Sequence, residues 1–445
     1  MSLPYSAATP AMQLTPYLTV FPHPDSPGES VLFAARTGAL VVLRDEILKA
    51  IRGAGRPPTE LIADLTAMGF LVPSREAEEK AVCGYLDEIN RINPSLTLAV
   101  VLGLECNFAC RYCFEGAQKG GGRAMDDRTA DQLVAFIDQR FTPAKKQLKL
   151  EIYGGEPLLY RPRLLGLARR LKPLVEERGG RLIIDLVSNG SLLSEEVVAE
   201  LTPWGLDGVK VTLDGMPENH NRFRPFKSGA ASFDCIVANL ARVCDKTKIR
   251  LGGNYTPDNY RAFPPLLDLL AARGVTPDKV EVVNFNIVMR VNDRLTANEY
   301  TGGCATVNEP WLREAALYIR EEVLRRGYPV AAPEPAPCGV EVEDTFTVNF
   351  DGSLYKCVTW IGHQQYKIGD LRQGVTEDYR HSHHLLHWQR EPRCRQCPYL
   401  PLCFGGCRYM AFQRDGHMAT VDCKKPFFDA TLPEMLRQEL RYRYS

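Results

Sequence analysis

The chain lacks an excess of either charge: 54 Lys and Arg stand against 54 Asp and Glu, a formal net charge of zero over 445 residues. Such a balance gives no bulk field to hold nucleic acid or an anionic membrane surface, so neither is expected as a partner. A secretory signature is missing too, since the first twenty residues contain no basic side chain and no continuous apolar stretch. No segment reaches the roughly 18 uninterrupted apolar residues of a membrane span. Repeats with a period of roughly 20–50 residues are absent, which excludes a solenoid. Neither a G-x-S-x-G elbow nor a phosphate-binding P-loop occurs. The expected setting is cytoplasmic.

Against these absences stand 14 cysteines. They are too few for a disulfide scaffold in a chain of this length and too clustered to be incidental. In a reducing compartment such clusters are more often metal ligands or catalytic groups than disulfides.

Pattern divides the chain. In residues 1–95, YLTVF (17–21) and VLFAARTGALVVL (31–43) read as strands, Leu43–Ile51 and Thr59–Met68 as helices, GFLVP as a short strand and Glu76–Ile92 as a charged helix. That order suggests a small winged-helix-like module. Residues 96–330 alternate apolar strands (97–104, 148–154, 181–188, 208–214, 248–255, 280–288) with amphipathic helices (129–141, 162–178, 194–203, 233–245, 260–273, 309–326). Alternation of this kind implies an α/β core with a parallel sheet, open or closed into a barrel, and ligands at the carboxyl ends of its strands. AAPEPAP (331–337) reads as a proline-rich linker. Residues 331–430 then lose periodicity as cysteine density rises, so bound metal is the expected source of stability there. Residues 431–445 read as a C-terminal tail.

Cys106, Cys110 and Cys113 form a C-x3-C-x2-C run directly after the first core strand. Three thiolates on one tight loop can hold three corners of an iron–sulfur cubane and leave the fourth iron open, whereas structural zinc prefers four closed ligands. Gly154-Gly155-Glu156-Pro157 follows the second strand. Its glycines permit close backbone approach, its proline forces an abrupt exit, and its glutamate could complement a cationic sulfonium or ammonium. Ser188-Asn189-Gly190 closes the third strand and Thr212-Leu213-Asp214-Gly215 the fourth; HNRFR (220–224) comes next.

Together these motifs resemble the radical S-adenosylmethionine (SAM) enzymes. The resemblance implies a partial (β/α)6 TIM-type barrel in which Cys106, Cys110 and Cys113 hold a [4Fe–4S] cluster whose open iron takes SAM. Reductive cleavage of SAM then yields a 5′-deoxyadenosyl radical that abstracts hydrogen from substrate. It also implies SAM contacts from Gly154, Gly155, Glu156 and Pro157 (the amine), Tyr112 (the adenine), Ser188 and Arg224 (the carboxylate), with Asn189 and Asp214 at neighbouring strand ends. The family's H-D-x-x-R has Asn221 here in place of its aspartate.

Cys338-x13-Gly352-x4-Cys357, then Cys394-x2-Cys397-x5-Cys403-x3-Cys407-x15-Cys423, is similar to the SPASM extension of peptide-modifying radical SAM enzymes. By that resemblance Cys394, Cys397, Cys403 and Cys423 hold one auxiliary [4Fe–4S] cluster, and Cys338, Cys357 and Cys407 the other, for three clusters in all. The fourth ligand of the latter is Cys304 or an open site. Cys83, Cys235 and Cys244 read as buried small apolar residues. His381, His383, His384 and His387 read as part of a helix with Trp388 in the core. Tyr399 and Phe404 read as shields of cluster edges, and Arg408, Lys424 and Lys425 as solvated or charge-offsetting.

The whole chain looks particularly like the maturases paired with geopeptides. This implies a cytoplasmic oxidoreductase acting on a ribosomally made precursor peptide (a RiPP), whose leader the N-terminal module holds, with a flavodoxin- or ferredoxin-type electron donor. The expected product is a thioether or other side-chain cross-link. The alternatives are formylglycine formation of the anaerobic sulfatase-maturase type, against which Val358 stands where an acidic residue is usual, and a non-enzymatic multi-zinc or electron-transfer protein.

Overall fold

The structure, a computed structural model, describes residues 12–54, 58–118, 121–289, 303–304, 306–376, 383 and 386–443. Its spine is an open ten-stranded sheet. Six parallel strands lie side by side in chain order: Ser95–Val101, Gln147–Tyr153, Arg181–Ser188, Leu206–Thr212, Lys248–Tyr255 and Val280–Ile287. All six lie within three residues of the stretches expected from the sequence.

Sequence alternation explains the two faces of this sheet. In Gln147–Tyr153, Leu148, Leu150 and Ile152 are buried while Lys149 and Glu151 are exposed. The buried series packs under helices such as Asp127–Arg140 and Arg161–Glu176 in one large core. Each fully buried Leu, Ile or Val there contributes about 1.5–3 kcal/mol. The alternate series lines a concave polar face on which Arg250 bonds Asp185 at 2.5 Å and pairs also with Glu281 and Asp207. A parallel sheet covered on both faces would read as continuous apolar runs. These strands alternate because one face stays open.

The sheet continues past its first strand. Thr345–Val348 pairs in parallel with Ser95–Val101, and Ser353–Tyr355, Gly369–Asp370 and Gly374–Val375 follow antiparallel. The expected turn at Gly352 is present: Gly352 has φ +82° and its N–H donates to Asn349 O at 2.9 Å. The cysteine-rich region is thus anchored on the core sheet itself.

At the N-terminus Leu18–Pro22, Glu29–Ala34 and Ala39–Arg44 form a three-stranded antiparallel sheet, and Gln13–Leu14 pairs with Leu71–Val72. The charged helix expected over 76–92 is two helices, Arg75–Cys83 and Tyr85–Ile92, broken at Gly84. This module shares a core with the C-terminal region: Tyr17, Phe21, Val31, Val82 and Leu86 pack with Trp388, Leu400 and Phe404. Tyr85 stacks on Phe404 with ring centroids 5.3 Å apart. Residues 431–443, expected as a tail, continue the helix Lys425–Arg443, which lies on Pro310–Arg325 through the buried pair Arg320–Glu439 and Gln438 Nε2 donating to Leu317 O at 3.1 Å. No described helix is long and apolar enough to cross a membrane.

Candidate active site

At the carboxyl ends of the core strands lies a cavity of about 250 Å³, walled by Cys106, Cys110, Tyr112, Cys113, Gly154, Gly155, Ser188, Asn189 and Arg224 among others. These residues come from separate motifs along the chain, and folding brings them to one place. The cysteine loop is held by backbone bonds to the segment after helix Pro217–Phe223. Ala109 N–H donates to Pro225 O at 2.9 Å, Arg111 N–H to Phe223 O at 3.0 Å, and Phe108 meets Phe226 edge-on at 4.8 Å. Gly155 has φ +49°, and a Cβ there would stand 2.1 Å from Glu105 O, so only glycine fits against the loop.

Glu156, Pro157 and Asp214 do not line the cavity; they stand buried behind its wall. The Glu156 carboxylate accepts from Ser188 Oγ at 2.9 Å, Asn189 N–H at 2.8 Å and Leu158 N–H at 3.1 Å, bracing two strand ends against each other. Burial raises its pKa against those three bonds and the Arg224 charge. Asp214 accepts from Tyr112 Oη and, at 2.8 Å, from Asn254 N–H. The Tyr112 hydroxyl also receives Arg224 Nη1 at 2.9 Å and Asn254 Nδ2 at 3.1 Å, so one phenol ties the cysteine loop to two strand ends. Burial alone disfavours the Arg224 cation, yet Cys110, Tyr112 and Asp214 outweigh that and keep it firmly charged.

His220 explains how Arg224 is positioned. Its Nδ1 accepts from Asp214 N–H at 3.2 Å, its Nε2 lies 3.0 Å from Ser232 Oγ, and that hydroxyl donates to Arg224 O at 2.7 Å. Burial, with the Arg224 charge adding, pushes the imidazole down to about 3, so it is neutral. Asn221 accepts from Ser232 and Phe233 N–H at 2.9 and 3.0 Å through its side-chain oxygen. A carbonyl oxygen suffices for that role, and the departure from the aspartate pattern costs no acceptor.

Several cavity residues escaped the sequence reading. Glu115, two positions past Cys113, is buried and accepts from Gly155 N–H at 3.0 Å. Tyr160 Oη accepts from Glu105 N–H at 2.9 Å and braces the loop from outside. Tyr153, Lys210, Thr212 and Asn286 line the wall because they fall on the inward parity of their strands. Parity was the signal that could have found them.

Residues 100–269 match the model of the Radical SAM superfamily. This part of the chain is a radical SAM domain. Over 169 residues the chain is 30% identical to the Fe-coproporphyrin III synthase of Methanosarcina barkeri, a match covering 37% of this chain and 38% of that protein. Its likeness to the PqqA peptide cyclase of Granulibacter bethesdensis is longer, 22% identity over 75% of this chain and 88% of that one. The fold is similar to that of Streptococcus suis SuiB in complex with its precursor peptide SuiA, with TM-score 0.52, 13% identity and coverage of 93% and 99%. The donor set fits the cofactors that a radical SAM domain implies. Three thiols share one wall, glycines clear the backbone beside them, and the buried Nε of cavity-lining Arg224 has no hydrogen-bond partner.

The C-terminal cysteines form two neighbourhoods. Burial, with Cys403 and Cys423 adding, pushes Cys394 up to about 12 and Cys397 up to about 11, as close thiols must. Cys338, Cys357 and Cys407 influence one another in the same way. Among the described residues no three such side chains converge on a single-ion site. Cys304 instead donates to Thr306 O at 2.8 Å within the main core, where burial, with Glu309 adding, pushes it up to about 12. Cys244 is buried as expected, but Cys235 is exposed. Arg408 is not solvated: it is 1% exposed and pairs with the buried Glu341 at 2.6 Å. Tyr399 and Phe404 pack in the core shared with the N-terminal module. Trp388 is in that core too, while His381 and His384 lie outside the described residues.

Proposed function

We propose that the chain is a peptide maturase: it binds SAM at Cys106, Cys110 and Cys113 and modifies a ribosomally made precursor by hydrogen abstraction, ending in a thioether or other side-chain cross-link. The observation that carries the reading is the single cavity in which three thiols meet Tyr112, Ser188, Asn189 and Arg224 at the strand ends. Bound there, SAM and its [4Fe–4S] cluster supply a 5′-deoxyadenosyl radical. Tyr112 and Arg224 hold one side of the cofactor pocket, Ser188 and Asn189 the other, and Glu156, Asp214 and His220 fix those four from behind.

The likeness to a peptide cyclase and to a maturase crystallised with its precursor supports a peptide substrate. In this reading residues 96–330 are the core, residues 331–430 carry two auxiliary [4Fe–4S] clusters, and residues 1–95 hold the leader by β-addition to an edge strand. A flavodoxin- or ferredoxin-type protein supplies electrons. Because residues 1–95 share a core with Trp388 and Phe404, deleting them would strip that core and test folding rather than leader binding.

Anaerobic reconstitution is the first test. About twelve irons per chain, three cubanes, are expected; bound zinc without broad visible absorption defeats the reading. Reduced enzyme with SAM releases 5′-deoxyadenosine. Co-expression with a neighbouring small precursor gives a product about two mass units lighter for each cross-link, since two hydrogens are lost.

A further inference from the structure

Lys210 is a charged cavity residue that the site as described leaves without a role. It sits on the strand Leu206–Thr212 opposite Arg250, yet a Cβ at Gly252 would stand 3.3 Å from its Cε. Gly252 pairs with Thr212, two residues nearer the carboxyl ends of the strands. The side chain therefore leans along the sheet toward the carboxyl ends of its strands, through space that a side chain at 252 would crowd.

Asp185, Asp207 and Glu281 on the same face of the sheet already have cations. Arg250 takes Asp185, Asp207 and Glu281, and Lys248 takes Asp207. On the cavity wall, Glu115 accepts from Gly155 N–H and Arg224 donates to Tyr112. Among the described residues no hydrogen bond or ion pair reaches the Lys210 ammonium. Glu151 is close enough for the Lys210 charge to favour its carboxylate, but no hydrogen bond or ion pair joins the two. A half-buried cation without a bonded counterion is costly until an anion joins it.

We infer that Lys210 is a specificity residue that binds a carboxylate of the peptide substrate, so that an Asp or Glu side chain lies at or beside the residue that reacts. This rests on the peptide-maturase reading. The same chemistry could come from the carboxylate of SAM, and the test separates the two.

The probes are three amidated, N-acetylated pentapeptides, Gly-Gly-X-Gly-Gly with X as Asp, Asn or Lys, titrated into reconstituted holoenzyme with SAM and followed by ligand-observed NMR. The Asp peptide is expected to bind about tenfold more tightly than the Asn peptide. Lys210→Met should erase that ratio, and Lys210→Arg should keep it, which excludes misfolding as the cause. Equal binding of Asp and Asn peptides, no binding of any, or a ratio that survives Lys210→Met overturns the inference. So does a Lys210→Met variant whose SAM affinity falls while the Asp-to-Asn ratio stands, because Lys210 then holds the cofactor. Release of 5′-deoxyadenosine by the wild type tests the radical reading separately.

Discussion

The two cysteine-bearing regions are built by different means. Cys106, Cys110 and Cys113 lie on a loop pinned to the carboxyl ends of parallel strands, with glycine contacts beneath and a cavity in front. The seven C-terminal cysteines lie on short helices and turns such as Pro392–Arg395 and Leu400–Cys403, around a fully buried Arg408–Glu341 pair. A sheet can hold a ligand loop rigid while leaving one position open. In the proposed reading, a loop-rich region with so little regular structure draws stability from what its thiols bind.

The sharpest way to break that contrast is Cys106→Ala. We expect 5′-deoxyadenosine release to fall at least about 1,000-fold and iron to drop from about twelve to about eight per chain, since four irons are lost with one cubane. Retained cleavage would refute the assignment of the first cluster. Next is Arg408→Met, which removes the ion-pair partner of the buried Glu341 and should cost about 3–5 kcal/mol. Hydrogen exchange would show the loss in residues 386–423 first, and adding Glu341→Met should restore most of it.

Acid probes the core in turn. His220 is held neutral down to about pH 3 in the fold against about 6.5 unfolded. Its contribution is complete above pH 6.5 and is lost as pH falls, because the unfolded chain takes up a proton that the folded chain refuses. The slope is at most about 1.4 kcal/mol per pH unit. His220→Gln should flatten denaturant midpoints between pH 6.5 and 5. The smallest effect is expected from Tyr112→Phe, which removes one hydroxyl from Asp214, Arg224 and Asn254. SAM affinity, measured by equilibrium dialysis, should weaken by roughly fivefold, about 1 kcal/mol. An unchanged affinity would place the phenol in loop support alone.

Local pattern made much of this legible. The six core strands and the helices between them follow from period and turn residues, signals carried within a dozen neighbours. The cavity residues Cys106, Gly155, Ser188 and Arg224 sit in motifs that could be read one by one. Glu156 and Asp214 were readable as important but not as hidden, since whether a strand-end carboxylate faces a cavity or the layer behind it depends on what packs there. Cys235 reads as apolar on a helix pattern, yet its face of helix Phe233–Val243 is left uncovered.

What the chain determined alone is the alternating α/β core and the gathering of its cysteines into runs. These rest on covalent order and short-range geometry. Tertiary structure alone decided that the N-terminal module and the C-terminal cysteines share one core, as when Asn90 Nδ2 donates to Glu341 O at 3.2 Å across 251 positions. It also decided that Thr345–Val348 joins the core sheet, that Cys304 turns to Thr306, and that Lys210 leans over Gly252 into the cavity. Each depends on contacts between residues far apart in the chain, where loop-closure entropy must be overcome by burial that no local window contains.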